Sequence, residues 1–524
     1  MISQFRQAAC LARPTRGWLI PVASFLILSS VVASVLFVAV QSPMKDDIAW
    51  LLYAARRMLA GRELYVDVVE VNPPLIIWIS TVPLELARWL GITVQTAAMS
   101  FFVAWVVCCA GWSAGILRQR DSLLAQGMAV FAVMTTVLLV VPAEEIGQRE
   151  HLLVAAFLPY LMLFAQSLDG RRVPVIAGLA AGIVAGIGCA LKPQYSIVFA
   201  ALELLALTRG LRPWRAMPVA AGLTLALYAA LVVLLCPAYL NRAVPMALAL
   251  YGATDTSFRT LLSDCTWLIV AQGGALGLLW LRRRSLPDRS VMLTLLVFSA
   301  MSTIVCFIDG KNWFYHRIPA TVTTALALVL WGAHELRQRH WRLGPSFAAG
   351  AAALGALSMT SVQQLKDQAV LALAPQQTVV EELEQIIRQQ HAHTYVAFSE
   401  WLALGFPVVN QTGVSWASRF DSMWALKGEV WRTRFDPRAS REWPIARWVA
   451  HDFLAGCPDI AVVDTRETTP YIRVLSEADS AFARAWTRYH PIASLDGLVV
   501  YRRGPGRCMD VWVAADPRQV VTAR

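Results

Sequence analysis

The sequence predicts a polytopic α-helical membrane protein of about eleven transmembrane helices, with a small water-exposed α/β domain at its C-terminal end. Three observations predict it. Hydrophobic residues make up 57% of the 524 residues and charged residues only 15%, whereas a soluble domain is about one quarter charged. Apolar stretches of about 18 residues, enough to cross ~30 Å of hydrocarbon, recur along the first two thirds of the chain. After Val362 the composition turns ordinary, which divides the chain into a membrane region, 1–362, and an outer domain, 363–524.

The expected spans are Gly17–Val40, Gln95–Leu117, Ser122–Ala143, Leu152–Leu168, Val173–Leu191, Gln194–Thr208, Ala216–Leu240, Cys265–Leu281, Val291–Ile308, Ile318–Ala333 and Leu343–Val362. The sixth is short and carries Glu203. The first is too long and apolar for a cleaved signal peptide and reads as a retained anchor.

Net charge is +11, but the placement of arginine argues for membrane topology rather than nucleic-acid binding. Arg6, Arg13 and Arg16 precede the first span. Arg118 and Arg120, Arg171 and Arg172, then Arg209, Arg212 and Arg215 occupy alternate connections, as do Arg282, Arg283, Arg284 and Arg289, and later Arg337, Arg339 and Arg342. Short basic loops stay in the cytoplasm, so the N-terminus is expected inside and the C-terminal domain outside. Of only five lysines, Lys45, Lys192 and Lys311 fall in loops this topology places outside. That runs against the trend and points to local work for them.

The first outer loop is long. Apolar residues alternate at helical spacing with arginines through Leu51-Leu-Tyr-Ala-Ala-Arg-Arg-Met-Leu, as in a helix lying on the membrane surface. Gly61 ends it, and the run from Leu75 meets Glu85 and Arg88 too early to span, which suggests a second interfacial helix. In the outer domain, helices are expected over Val379–Gln390 and Glu477–Tyr489, with strands over Thr394–Ser399, Asp459–Asp464 and Leu495–Arg503. Alternating helices and short apolar strands suggest an α/β domain. Most of the nine cysteines lie within spans as packing residues, while Cys457 and Cys508 could pair in an oxidising compartment. No metal-ligand spacing appears.

The outer loops hold the chemistry. Asp46 and Asp47 are either solvated loop acids or a general base with a neighbour that tunes it. Asn72-Pro73-Pro74 is a rigid turn into a helix. Glu144, Glu145, Gln148, Arg149, Glu150 and His151 form a dense polar cluster whose acids can hold sugar hydroxyls while Arg149 and His151 face an anion. Lys192 before Pro193 reads as a snorkelling lysine or a phosphate ligand. Lys311, Tyr315, His316 and Arg317 read as an interfacial anchor or part of the same site. Cations at a lipid surface suit a phosphate that stays attached to lipid, and stabilising such a leaving group is the largest catalytic term available.

The order Asp46-Asp47, Ala54-Ala55-Arg56-Arg57-Met58-Leu59, Gly61, Asn72-Pro73-Pro74-Leu75, Trp78 resembles the GT-C superfamily of polyprenyl-phosphate-dependent glycosyltransferases. The likeness is to its aminoarabinose-transferase and protein O-mannosyltransferase branch. Gly147-Gln148, Lys192-Pro193 and Tyr315-His316 resemble bacterial members, and the likeness covers the membrane region. Two positions depart from the pattern: Asn72 stands where a basic residue is usual, and Asp46-Asp47 where Asp-Glu is usual.

The resemblance implies inverting transfer of a sugar from a polyprenyl-phosphate donor to an acceptor hydroxyl, on the periplasmic face of a bacterial inner membrane. It implies Asp47 as the base, with Asp46 the alternative if the register slips by one. Arg149, His151, Lys192, Lys311, His316 and Arg317 would hold the donor phosphate; Glu144, Glu145, Gln148, Asn72 and Tyr315 would orient sugar or acceptor. No cofactor is called for, and a divalent cation is compatible with the acidic motif without being indicated by it. The acceptor would be a lipid, a polysaccharide or a protein. The competing class is a transporter or flippase of lipid-linked sugars, which expects charge inside several spans; Glu203 is the single such charge.

Overall fold

The structure, a computed structural model, describes residues 18–118, 120, 126–284, 286, 288–338, 344–374, 378–436 and 438–506. Arg6, Arg13, Arg16, Arg339, Arg342 and Cys508, and the span starts expected at Gly17, Ser122 and Leu343, lie outside these residues.

Among the described residues, fourteen α-helices run through the first part of the chain in order: α1 (Leu19–Gln41), α2 (Asp46–Leu59), α3 (Pro74–Leu90), α4 (Val94–Leu117), α5 (Gly127–Val140), α6 (Arg149–Leu168), α7 (Val175–Leu191), α8 (Ser196–Thr208), α9 (Ala216–Leu235), α10 (Val244–Leu250), α11 (Phe258–Leu281), α12 (Arg289–Asp309), α13 (Ile318–Gln338) and α14 (Pro345–Leu373). Every segment expected to span the membrane overlaps one of them. Six, namely α1, α4, α6, α9, α11 and α12, are long and apolar enough to cross a membrane; the helices over Gly127–Val140, Val175–Leu191 and Pro193–Thr208 are apolar but shorter. The two helices expected in the first loop are α2 and α3. Gly61 follows α2 at φ +82°, and Pro74 opens α3, where a missing N–H costs nothing.

The chain forms two compact units: one of residues 1–42, 92–229 and 256–373, the other of residues 43–91, 230–255 and 374–524. In the first, α6 is the central element and is buried from Arg149 through Gln166. Phe157 packs on Phe199 and Phe298 at 4.8 and 5.1 Å between ring centroids. Helix α7 meets α9 through small residues. A Cβ at Gly182 would strike the Met217 carbonyl, so glycine there permits the close backbone approach typical of helices in lipid. Glu203, the charge noted within a span, accepts from Tyr160 Oη at 3.0 Å and is paired with Arg215. By contrast α1 leaves Phe25, Leu26 and Ile27 exposed, an apolar surface that suits lipid and not water.

The second unit holds a five-stranded sheet of order β2-β1-β3-β5-β4, built from β1 (Thr394–Phe398), β2 (Ser415–Trp416), β3 (Ile460–Asp464), β4 (Tyr489–Leu495) and β5 (Leu498–Arg503). The β1 strand pairs in parallel with β2 and β3; β5 runs antiparallel to both β3 and β4. The helix expected over Glu477–Tyr489 is broken in two because Asp479 caps a new helix, accepting from the Ala481 N–H at 2.7 Å. The α2 helix belongs to this unit. Asn410 Nδ2 donates to the Ala49 carbonyl at 2.8 Å, across 361 residues of sequence, and Trp50 packs edge-on against Phe406 at 4.9 Å. Cys457 is disulfide-bonded; its expected partner Cys508 is beyond the described residues.

Candidate functional site

In the first unit the polar loop residues converge where α5, α6, α7, α12 and α13 end. The loop Ala143–Gln148 turns sharply into α6. Gly147 sits at φ +96°, and a Cβ there would lie 2.5 Å from the Phe102 ring, so only glycine fits both the turn and the packing. Gly147→Ala is therefore expected to destabilise the protein by about 1–3 kcal/mol, measured by thermal unfolding in detergent. Gly147→Ala combined with Phe102→Leu should recover part of the loss; an unshifted Tm in Gly147→Ala would contradict this reading.

His151 fixes the same turn. Its Nδ1 accepts from the Gly147 N–H at 3.2 Å and its Nε2 bonds the Leu138 carbonyl at 2.8 Å. Both ring nitrogens, expected to face a phosphate, are thus engaged within the protein. Gln148 donates to Glu145 Oε2 at 3.2 Å, and both side chains are buried. Glu144 accepts from Gln364 of α14 at 3.4 Å.

Lys192 stands between two carboxylates. Its Nζ is 2.6 Å from Glu150 Oε1 and 2.6 Å from Asp309 Oδ2. His316 is placed beside the same two groups, with Nε2 3.6 Å from Glu150 Oε1 and Nδ1 3.6 Å from Asp309 Oδ2. Burial, and next the Lys192 charge, hold the His316 imidazole well below its ordinary range, so it is neutral at pH 7. Gln194 donates to the other Asp309 oxygen at 3.1 Å. Tyr315 is buried with its ring 4.7 Å from His316, edge to face. Arg317 donates to the Asp264 carbonyl at 3.1 Å, and Asn312 to the Asp264 carboxylate at 2.5 Å. Arg149 and Lys311 are also buried, with 7% and 5% of their surface exposed. Buried cations among buried acids are costly to maintain unless paired. Such a concentration at the ends of apolar helices makes this the candidate site.

The acidic motif lies in the second unit. Asp46 and Asp47 form the first turn of α2, where the helix dipole favours negative charge. Asp46 Oδ1 accepts the Asp47 N–H at 2.9 Å, which commits Asp46 to the helix start. Trp50, one turn on, donates its indole N–H to buried Glu70. Glu70 also accepts the Asn72 N–H at 2.7 Å, and the Asn72 carbonyl accepts from Tyr65 Oη at 2.8 Å. Asn72 is thereby held at the entry to the proline pair. The loop is anchored to the C-terminal part by a parallel bridge between Val69 and Phe420 and by the Val69 N–H donating to the Arg419 carbonyl at 2.7 Å. Asp421 follows directly, half-buried, accepting from the Ser422 N–H at 2.6 Å and from the Trp424 indole at 2.9 Å.

Sequence reasoning passed over Asp309, Gln194, Glu70 and Asp421. Asp309 carries a local signal, an acid closing an apolar helix immediately before Gly310 and Lys311. Asp421 carries none.

No family model matches the chain, and no curated protein sequence matches it. Among solved structures, it is similar to ArnT from Cupriavidus metallidurans bound to undecaprenyl phosphate, with 14% identity, a TM-score of 0.54, and coverage of 94% of this chain and 100% of that one. The apo state of the same protein matches with 12% identity, a TM-score of 0.53, and coverage of 92% and 99%. Arabinofuranosyltransferase AftD from Mycobacteria also matches, with 13% identity, a TM-score of 0.41, and coverage of 92% and 40%. The match runs over nearly the full length of both chains: this chain has an ArnT-like fold.

Proposed function

We propose that the protein is an inverting glycosyltransferase that moves a sugar from a polyprenyl-phosphate donor to an acceptor hydroxyl, on the periplasmic face of a bacterial inner membrane. The observation that carries this reading is the fold match along the entire length of ArnT, a protein whose structure holds undecaprenyl phosphate. The cluster of buried Arg149, Lys192 and Lys311 with half-buried Arg317 supports it, because cations at the ends of apolar helices suit the phosphate of a lipid. All eleven expected spans are taken as crossing the membrane, with the N-terminus in the cytoplasm and the sheet-bearing residues in the periplasm.

In this reading Asp47 removes the proton from the acceptor hydroxyl as its oxygen attacks the anomeric carbon. The bond from that carbon to the phosphate oxygen breaks, and the negative charge that develops on the lipid phosphate is stabilised by the cations. Glu150 and Asp309 hold Lys192 in place until a phosphate competes for it. Glu144, Glu145, Gln148, Asn72 and Tyr315 orient sugar or acceptor. A transporter reading is disfavoured by Glu203, whose charge is neutralised by Arg215 and which bonds Tyr160.

The test is transfer of radiolabelled sugar from lipid-linked donors to endogenous acceptors in membranes containing the protein. A labelled product that depends on the protein is expected. Failure to label anything across several prenyl-phosphate sugars would remove the proposal.

A further inference from the structure

A cleft of about 690 Å³ lies in the second unit, lined by the turn that follows the helix Val379–Gln389 and by the open end of the β4–β5 hairpin. That volume is in the range of small-molecule sites. Its walls are basic: His391 and His393 come from the turn, His490 from β4, and Arg502 and Arg503 from β5. His391, His393, His490 and Arg502 are exposed to solvent.

Local structure explains the gathering. His490 and Arg502 are directly opposed in the antiparallel ladder, so their side chains share one face of the sheet, about 5 Å apart at Cβ. Arg502 reaches the turn and donates to the Gln390 side-chain oxygen, a neutral acceptor that leaves the guanidinium charge in place. Among the lining residues described, Asp459 is the one acid. It is taken up as a clamp: Arg503 donates to one of its oxygens at 2.8 Å, and the His393 and Thr394 N–H groups donate to the other at 2.8 and 3.2 Å. Arg502 and the imidazoles therefore set the character of the cleft.

His391 is kept there at a conformational cost. It is the second residue past the last turn of the helix, with its N–H donating to the Arg388 carbonyl at 3.1 Å and its backbone at φ +48°. Glycine is the usual residue in that left-handed conformation, because it bears no steric penalty. An imidazole held where glycine would fold better points to the cleft it lines.

We propose that this cleft binds an oxyanion of the phosphate-monoester class. Arg502 presents a planar fork of N–H donors that matches phosphate oxygens, and the imidazoles supply further donors around it. A doubly charged group gains more from such a wall than a singly charged one does. The phosphate is carried by a free sugar phosphate or by a lipid head group, and the test separates the two. The site uses neither the acidic motif nor the lysine cluster, so it stands apart from the glycosyl-transfer reading.

The experiment titrates full-length protein in detergent, by calorimetry, with glucose 1-phosphate, dihexanoyl phosphatidic acid and glucuronate. Saturable binding of a phosphate probe is expected, and it should weaken as salt rises. The tighter of the two phosphate probes identifies the source, and glucuronate should bind more weakly than that probe. Arg502→Gln should weaken binding about tenfold or more, the worth of a charge-assisted hydrogen bond, at an unchanged Tm. His391→Gly should weaken binding about threefold while raising the Tm. Glucuronate bound as tightly as the better phosphate probe would overturn the phosphate class. No saturable binding of either phosphate probe, or binding that Arg502→Gln leaves intact, would overturn the site. A His391→Gly protein that binds like wild type would remove His391 from it.

Discussion

Asp47→Asn is expected to abolish transfer while leaving donor binding intact. Asparagine has the shape of aspartate, and the Asp47 backbone N–H would still donate to Asp46 Oδ1, so the start of α2 should survive. The indole bond from Trp50 to Glu70 is likewise untouched. What disappears is the capacity to take a proton, and a positioned general base is worth about 10²–10⁴ in rate. The loss should therefore appear in kcat, with the affinity for a prenyl-phosphate sugar within about twofold of wild type, since an interaction confined to the transition state does not alter ground-state binding. Asp46→Asn should cost much less. A fully active Asp47→Asn would remove Asp47 from the mechanism, and an inactive Asp46→Asn beside it would pass the role to Asp46.

Lys192→Met should produce the largest loss of stability. Methionine matches the reach of the lysine stem but leaves Glu150 and Asp309, each 2.6 Å from the ammonium in wild type, without their shared counter-charge. Glu150 is completely buried. Removing one partner of a buried ion cluster costs about 3–5 kcal/mol because the remaining charge is left uncompensated. Adding Glu150→Gln to Lys192→Met should restore part of the loss, since residues in one network do not add independently. Thermal unfolding of the purified protein in detergent measures both. A Lys192→Met protein with wild-type Tm would show that the ammonium carries little structural load, and that the pairing with Glu150 and Asp309 is incidental.

The helices were legible because lipid imposes a simple rule. A segment must be apolar over its whole length, and that is a local property of sequence. Helices α2 and α3 were equally legible, from a period broken by arginines and from Pro73-Pro74. Within the C-terminal part, β1, β3 and β5 were visible as short apolar runs. The stretch from Glu400 to Pro458 was not, because β2 has two residues and its helices Trp424–Thr433 and Ile445–Gly456 are short and closed by tertiary packing.

The candidate site divides the same way. Asp46, Asp47, Arg149, Lys192, Lys311 and His316 stood out as polar residues at the ends of apolar segments. The partners that define their electrostatics did not, because pairing is a property of the fold. Asp309 meets Lys192 across 117 positions of sequence, and Asp421 joins Glu70 through a bridge between the first loop and the C-terminal part. His151 shows the opposite case. Its place beside Arg149 suggested an anion ligand, and only the fold revealed that both ring nitrogens close the loop.

The most direct test of glycosyl transfer uses the purified protein in liposomes with a synthetic polyprenyl-phosphate sugar and a soluble or lipid acceptor, following sugar product and free polyprenyl phosphate together. The account predicts equal amounts of the two, with the anomeric configuration inverted in the product. Donor that crosses the bilayer with its sugar still attached, and no polyprenyl phosphate released, would contradict it and make the protein a carrier of lipid-linked sugars.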